Sequence, residues 1–195
     1  MNLDEDLKLF DNVLKYKDKK NITFFGSARI EDLNVKDLAY KLAKKGYSII
    51  TGGGPGVMKN ANYGAYLAQN EGVKINSIGI NIKLPFEQHP NEYCNEVFLF
   101  KSLNLRRKAL IDVSDIFVVG MGGFGTLDEL FEIVTLAQTK LKQDMKIIIL
   151  NTNGFYDKLF ELFSDFASRG VIGDESLKLF CVASDIDEAL KLIGE

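Results

Sequence analysis

Histidine and cysteine are scarce in this chain of 195 residues, which contains one histidine and two cysteines. Cys94 and Cys181 stand far apart without a Cys-x-x-Cys spacing, and His89 is alone, which excludes zinc-ligand clusters that combine these residues. The single histidine, with no motif beside it, also argues against a Ser-His or Cys-His nucleophile. We therefore expect no metal and no cofactor, and the few cysteines agree with a reducing compartment.

An excess of basic residues and long apolar runs are also missing. The 24 basic and 27 acidic residues give a net charge of −3, and no polybasic face is available for a nucleic-acid backbone. The apolar runs fall well short of the roughly 20 residues that cross a bilayer. Residues 1–20 lack the basic start and continuous apolar run of a secretory signal. The composition predicts a soluble cytoplasmic protein whose partner is neither a nucleic acid nor a membrane.

The length predicts one domain over residues 1–195, because a domain takes roughly 100–200 residues. Within it, residues 1–20 are expected to form an N-terminal helical extension, with Asn2 followed by Glu5 as its start signal. Apolar residues recur there at helical spacing. They are Leu3, Leu7, Phe10 and Leu14.

The rest of the chain alternates short apolar runs with amphipathic stretches. The runs predict strands at 22–25, 47–50, 76–82, 97–100, 116–119, 146–150 and 180–183. The amphipathic stretches predict helices at 35–42, 57–67, 103–113, 126–139, 155–166 and 186–193. Strands that are apolar on both faces and alternate with helices indicate a parallel sheet covered on each side. We expect a doubly wound, Rossmann-like α/β fold with a mainly parallel sheet.

Three loops that follow predicted strands are rich in glycine: residues 26–29, 52–56 and 120–126. In a doubly wound sheet such loops gather at one edge, where ligands bind. Glycine lets the backbone approach a ligand, and a helix that begins directly afterwards offers free amides to a phosphate. The alternative is that each glycine only makes a tight turn. Three such loops on one edge favour a phosphate-bearing ligand.

The third loop matches G-x-G-x-x-G, but the next strand ends Leu150-Asn151-Thr152 without the acid that a redox dinucleotide requires. The G-x-x-x-x-G-K-[ST] phosphate loop is absent from the sequence. The loops therefore suggest a nucleotide that is neither a redox dinucleotide nor a triphosphate hydrolysed by the P-loop mechanism.

Thr126 and Glu129 allow two interpretations. A threonine with a glutamate three residues later forms a capping box at a helix start. The other interpretation is catalytic: a fixed carboxylate stabilises the oxocarbenium-like transition state of glycosidic cleavage and can position or deprotonate the attacking water.

Three consecutive cations, Arg106, Arg107 and Lys108, lie within the predicted helix 103–113. Successive helical residues point about 100° apart, so the three cannot all reach one ligand. They could form a solvated basic face. An arginine beside Glu129 could instead bind phosphate or keep that carboxylate ionised.

Three motifs, taken in order, strongly resemble the LOG (Lonely Guy) family of cytokinin riboside 5'-monophosphate phosphoribohydrolases. They are TGGGPGVM at residues 51–58, Arg107-Lys108, and GGFGTLDE at residues 122–129. The segments 25–29 and 84–88 fit the same family, and the likeness runs from about Thr23 to Asn151. The chain departs from the family at Met121, where a proline is usual, and at residues 104–106.

The resemblance implies metal-free hydrolysis of the N-glycosidic bond of AMP or an N6-modified AMP. It implies that Glu129 is the catalytic carboxylate, Arg107 its catalytic partner and Lys108 a substrate-binding cation. Together with the glycine-loop argument, it predicts further substrate contacts at Gly26, Ser27, Gly53, Gly54, Gly122, Gly123, Gly125, Thr126, Asp128 and Thr135. It also implies a homodimer or larger assembly with sites near the subunit interface.

Two other functions remain compatible with the residues. One is a non-catalytic carrier or sensor of a nucleotide-like ligand, resembling the molybdenum-cofactor carrier proteins, which would not need Arg107 and Glu129 together. The other is a structural oligomer. Members of the LOG family are often labelled lysine decarboxylases, but nothing in this sequence marks a Schiff-base lysine.

Overall fold

A computed structural model describes residues 3–17, 19–85 and 89–194 of the chain. These residues contain a seven-stranded sheet in the order β4-β3-β2-β1-β5-β6-β7, in which every neighbouring pair is parallel. The strands are β1 (Asn21–Phe25), β2 (Ser48–Thr51), β3 (Ser77–Ile82), β4 (Glu96–Phe100), β5 (Ile116–Val119), β6 (Lys146–Leu150) and β7 (Cys181–Ala183). The predicted α/β fold with a parallel sheet is confirmed.

Within the described ranges, seven α-helices cover the two faces of this sheet. They are α1 (Leu3–Leu14), α2 (Leu33–Lys44), α3 (Val57–Asn70), α4 (Leu103–Asp112), α5 (Phe124–Gln138), α6 (Asp157–Ser168) and α7 (Ile186–Ile193). Helices α2, α3 and α7 contribute to one hydrophobic cluster, and α1, α4, α5 and α6 contribute to the other. The central strands β1, β2 and β5 are buried on both faces, which explains their continuous apolar sequences.

The strand order reverses its direction of growth between β1 and β5, which is the position where doubly wound sheets bind ligands. The loops that leave these two strands are joined by backbone hydrogen bonds. Ser27 N donates to Met121 O at 2.8 Å, and Gly120 N donates to Phe25 O at 2.9 Å. Two of the three glycine-rich loops are therefore held side by side at this edge.

Several element ends differ from the sequence prediction. Helix α5 begins at Phe124 rather than Thr126, with Gly123 as its N-cap. The start signal at Asn2 and residues 86–88 of segment 84–88 lie outside the described residues. Within the described ranges, no helix is long and apolar enough to cross a membrane, and no group of three or more metal-ligating side chains forms.

Helix α1 is confirmed, but its buried face differs from the predicted apolar stripe. Leu3 and Leu7 are exposed, whereas Asp6 and Val13 are buried. The reason is that the Asp6 carboxylate accepts hydrogen bonds from Lys101 N at 3.0 Å and from Ser102 N at 2.5 Å, directly before α4. Helix α1 is therefore fastened to the start of α4.

We expect Asp6→Ala to lower the free energy of unfolding by roughly 2–3 kcal/mol, because the substitution leaves two amides without a charged acceptor. Urea unfolding would measure this change. Asp11→Ala, an exposed position on the same helix, is the matched control and should shift stability by no more than about 0.5 kcal/mol. Equal effects of the two substitutions would mean that Asp6 does not fasten α1 to α4.

Candidate active site

A cavity of about 680 Å³ opens at the carboxyl edge of the sheet, a size typical of small-molecule sites. Its walls come from the loops after β1, β2, β3 and β5 and from the starts of α3, α4 and α5. The described lining residues are Gly26, Ser27, Ala28, Arg29, Gly52, Pro55, Met58, Asn81, Ile82, Leu84, Arg106, Gly123, Phe124, Gly125, Thr126 and Glu129.

One end of the cavity is formed by the N-terminus of α5. Its N-cap Gly123 makes no side-chain cap, and the first helical hydrogen bond runs from Leu127 N to Gly123 O. The amides of Phe124, Gly125 and Thr126 precede that bond and belong to lining residues. Together with the positive end of the helix dipole, these amides favour an anion such as a phosphate.

The catalytic candidate Glu129 lies one to two turns further along α5, with its side chain buried at the cavity wall. Its Oε1 accepts a hydrogen bond from Arg106 Nη1 at 2.6 Å. Because Thr126 is already inside the first helical turn, Thr126 and Glu129 do not form a capping box. The structure thus excludes the capping-box interpretation of Thr126 and Glu129.

Arg106 is held in place by its other contacts. Its Nε donates to Ile80 O, on β3, at 3.0 Å. Its guanidinium also lies so close to Gly52 that a Cβ at this position would overlap Nη2. A glycine at position 52 therefore makes room for the Arg106 guanidinium. Through this contact the loop after β2 lies against the Arg106–Glu129 ion pair.

Burial raises the pKa of Glu129 above its usual range, and the neighbouring Arg106 partly offsets this effect. The carboxyl is therefore poised between two influences: desolvation favours its neutral form, and the ion pair favours its charged form. Such a perturbed carboxyl in a cleft is typical of a group that handles protons or stabilises developing positive charge.

Arg107 does not occupy the position predicted for it beside Glu129. It pairs with Asp128, and its Nε lies 3.0 Å from Glu132 Oε2, which is also on α5. Successive helical side chains diverge by about 100°, so Arg106 and Arg107 serve different faces of α4. Both arginines lie three and four residues before buried apolar residues of α4, so helical spacing does not distinguish them.

The other sequence candidates divide into two groups. Gly26, Ser27, Gly123, Gly125 and Thr126 line the cavity. Outside the described lining are Gly53, Gly54, Gly122, Lys108, Asp128 and Thr135.

The residues outside the lining have other partners. Lys108 forms an exposed ion pair with Asp112 at 2.6 Å. The carbonyl oxygens of Gly53 and Gly54 accept hydrogen bonds from Asn91. These contacts join residues outside the described cavity lining.

Sequence reasoning missed several lining residues, among them Arg29, Asn81 and Phe124. Arg29 and Phe124 lie within glycine-rich loops in which the predicted ligand contacts are mainly glycines. Asn81 lies in a buried strand, where asparagine is uncommon, and this could have drawn attention to it. The charged groups on the described wall are Arg29, Arg106 and Glu129, so the site carries a net positive charge.

Comparisons with known proteins identify one matching family model and several similar sequences. A family model described as possible lysine decarboxylase matches residues 58–193. A probable cytokinin riboside 5'-monophosphate phosphoribohydrolase of Oryza sativa subsp. japonica is 28% identical over 176 residues, which cover 88% of this chain and 72% of the relative. The cytokinin riboside 5'-monophosphate phosphoribohydrolase LOG of the same organism is also 28% identical, over 88% of this chain and 71% of its own.

Solved structures extend the likeness of the fold. The molybdenum cofactor binding protein from the phototrophic bacterium Rippkaea orientalis superimposes with a TM-score of 0.60 at 22% identity. The match covers 89% of this chain and 93% of the other. At this identity the likeness concerns the fold alone.

Proposed function

The chain belongs to the LOG family, and we propose that it hydrolyses the N-glycosidic bond of a nucleoside 5'-monophosphate. The matched family model, described as possible lysine decarboxylase, is the model of this family. The substrate is AMP or an N6-modified AMP of the cytokinin type. The observation that carries this proposal is the buried Glu129–Arg106 pair beside the free amides of α5. The relatives' names support the same reaction class.

The phosphate of the substrate lies against the amides of Gly125 and Thr126, with Arg29 on the same cavity wall. This anchor places the ribose over Glu129, which lies deeper along the same helix. The two arginines on the wall more than balance the one carboxylate, so a phosphate dianion gains electrostatic attraction on entering.

During hydrolysis the bond from C1' to the base nitrogen breaks, and its electron pair leaves with the base. Water attacks C1' and supplies the hydroxyl of ribose 5-phosphate, while its proton passes through Glu129 to the departing base. The ionised carboxylate also stabilises the positive charge that develops on the sugar. Arg106 favours the ionised form of Glu129 before the reaction.

Arg106 takes the role that the sequence resemblance implied for Arg107. In this proposal Arg107 is a positioning residue, because it joins α4 to two carboxylates of α5. A lysine decarboxylase that works through a Schiff base needs a lysine amine at the site. No lysine is among the described residues that line the cavity, which favours the hydrolase.

Incubation of the purified protein with AMP tests the proposal. We expect equimolar adenine and ribose 5-phosphate, followed by chromatography. Adenosine is the matched control: because it lacks the phosphate anchor, its kcat/KM should be lower on the order of 10²-fold or more.

The carrier function gives a different result in the same experiment. AMP and N6-modified AMP would then bind and remain intact over the full time course. This outcome would contradict the hydrolase and favour a non-catalytic carrier like the molybdenum-cofactor proteins that share the fold.

A further inference from the structure

Asn81 is a buried side chain with an unused hydrogen-bond donor at the wall of the cavity. It is 2% exposed, and its Nδ2 has no hydrogen-bond partner among the described residues. Its Oδ1 accepts a hydrogen bond from Ile82 N at 2.7 Å. This bond sets the orientation of the amide, because the flipped amide would bring two donors together.

A buried donor without a partner is uncommon in folded proteins, since its loss of water is not offset by a protein contact. Asn81 belongs to the cavity lining, so a bound ligand could supply the missing acceptor. Burial of an unpartnered polar group costs free energy, so an apolar residue would suit this buried position better if it served packing alone.

The position of Asn81 tells which part of a ligand it faces. Strand β3 is three strand spacings from β5, about 14 Å, whereas the phosphate-binding amides follow β5. Glu129 and Arg106 lie between these ends, because Arg106 donates to Ile80 O on β3 and binds Glu129 on α5. A mononucleotide with its phosphate at α5 and its sugar at Glu129 therefore extends its base toward Asn81.

The surroundings of Asn81 also suit a base. Met58, Ile82 and Leu84 provide apolar surface on the same cavity wall. A flat heteroaromatic ring can be buried against such side chains, while one precisely placed donor selects its ring edge.

We propose, on the basis of the hydrolase function above, that Asn81 is a specificity-determining residue whose Nδ2 donates a hydrogen bond to a ring nitrogen of a purine base. When the glycosidic bond breaks, the base receives the bonding electron pair, and its ring nitrogens share the negative charge. The amide stabilises that charge without giving up its proton, and the proton that the base finally takes comes from water through Glu129.

Two variants and four substrates test this inference. Asn81→Asp keeps the volume and the acceptor for Ile82 N but exchanges the free donor for an acceptor, and Asn81→Ala removes both. Each is assayed with AMP and with AMP analogues in which N1, N3 or N7 is replaced by CH. Asn76→Ala, at the other end of β3, is the control, and thermal unfolding confirms that each variant is folded.

In wild type, we expect kcat/KM to be on the order of 10- to 100-fold lower for one analogue than for AMP, beyond any difference that Asn81→Ala shows. One hydrogen bond to a charged group implies an effect of this size. Asn81→Ala should have a kcat/KM for AMP that is lower than wild type by a similar factor. Its kcat/KM values for AMP and for that analogue should not differ on account of the missing ring nitrogen. Asn81→Asp should be the least active on AMP. Identical discrimination among the four substrates in wild type and Asn81→Ala would overturn the inference.

Binding measurements separate this inference from the proposed reaction. Calorimetry of AMP and the three analogues in Glu129→Gln and in Glu129→Gln/Asn81→Ala reports the contact without turnover. If wild type cleaves no substrate, but adding Asn81→Ala to Glu129→Gln removes the difference in Kd between AMP and the analogue, the proposed reaction is wrong and the Asn81 contact stands. If wild type cleaves AMP and discrimination is unchanged in both assays, the contact fails and the reaction stands.

Discussion

Glu129→Gln is expected to lower kcat for AMP hydrolysis on the order of 10³-fold, the range observed when a general acid–base group is removed. Glutamine keeps the shape of the side chain, and its Oε1 can still accept the hydrogen bond from Arg106 Nη1. It carries no charge to stabilise the developing oxocarbenium ion and takes no proton from water. The loss should therefore appear in kcat, while AMP still binds at the start of α5.

The measurement is the initial rate of adenine release, together with the Kd of AMP by calorimetry. Glu132→Gln is a matched control, because Glu132 is on the same helix and pairs with Arg107 outside the described cavity lining. It should keep kcat within about 3-fold of wild type. Equal rates for wild type and Glu129→Gln would show that another group performs the reaction, even if AMP is the substrate.

The order of strands and helices could be predicted because the buried strands are short runs rich in apolar residues, each followed by glycine or polar residues. Ile116–Val119 and Lys146–Leu150 were located at their observed bounds for this reason. The start of α5 was predicted two residues late. Thr126 and Glu129 carry the sequence signature of a capping box, whereas the observed N-cap, Gly123, has no side chain by which to identify it.

The site was less predictable than the fold, because its chemistry depends on contacts between distant segments. The sequence placed a cation in α4 near Glu129 but did not specify which of two adjacent arginines points inward. Both arginines have helical spacing to buried residues, and the family resemblance led to Arg107. The unused amide of Asn81 could not be foreseen, because a strand sequence does not show whether a polar side chain finds a partner across the sheet.

The Arg106–Glu129 pair determines how the site depends on pH. Burial raises the pKa of Glu129, and Arg106 lowers it, so loss of Arg106 must raise that pKa further. Since the ionised carboxylate is the active form, activity is lost as the pH falls through the Glu129 pKa. The acid limb of kcat/KM is thus expected above pH 4.5, the usual Glu value, and at a higher pH still without Arg106.

Arg106→Ala and Arg107→Ala are therefore expected to differ strongly. Arg106→Ala should lower kcat/KM for AMP on the order of 10²-fold and move the acid limb to higher pH. Arg107→Ala should cost about 5-fold or less at neutral pH and move the acid limb less than Arg106→Ala does, because Arg107 lowers the Glu129 pKa less than Arg106 does and pairs with carboxylates outside the described cavity lining. Rate–pH profiles of both variants, with Arg106→Lys as a variant that keeps the charge, measure the difference.

Arg106→Lys should recover part of the activity and return the acid limb toward its wild-type position, because a lysine supplies the charge but not the second bond to Ile80 O. A merely structural role for Arg106 would lower the amount of folded enzyme without moving the acid limb. If Arg107→Ala instead abolished activity in a folded protein and Arg106→Ala did not, the partner of Glu129 in the reaction would be Arg107, and the ion pair seen here would not be the catalytic one.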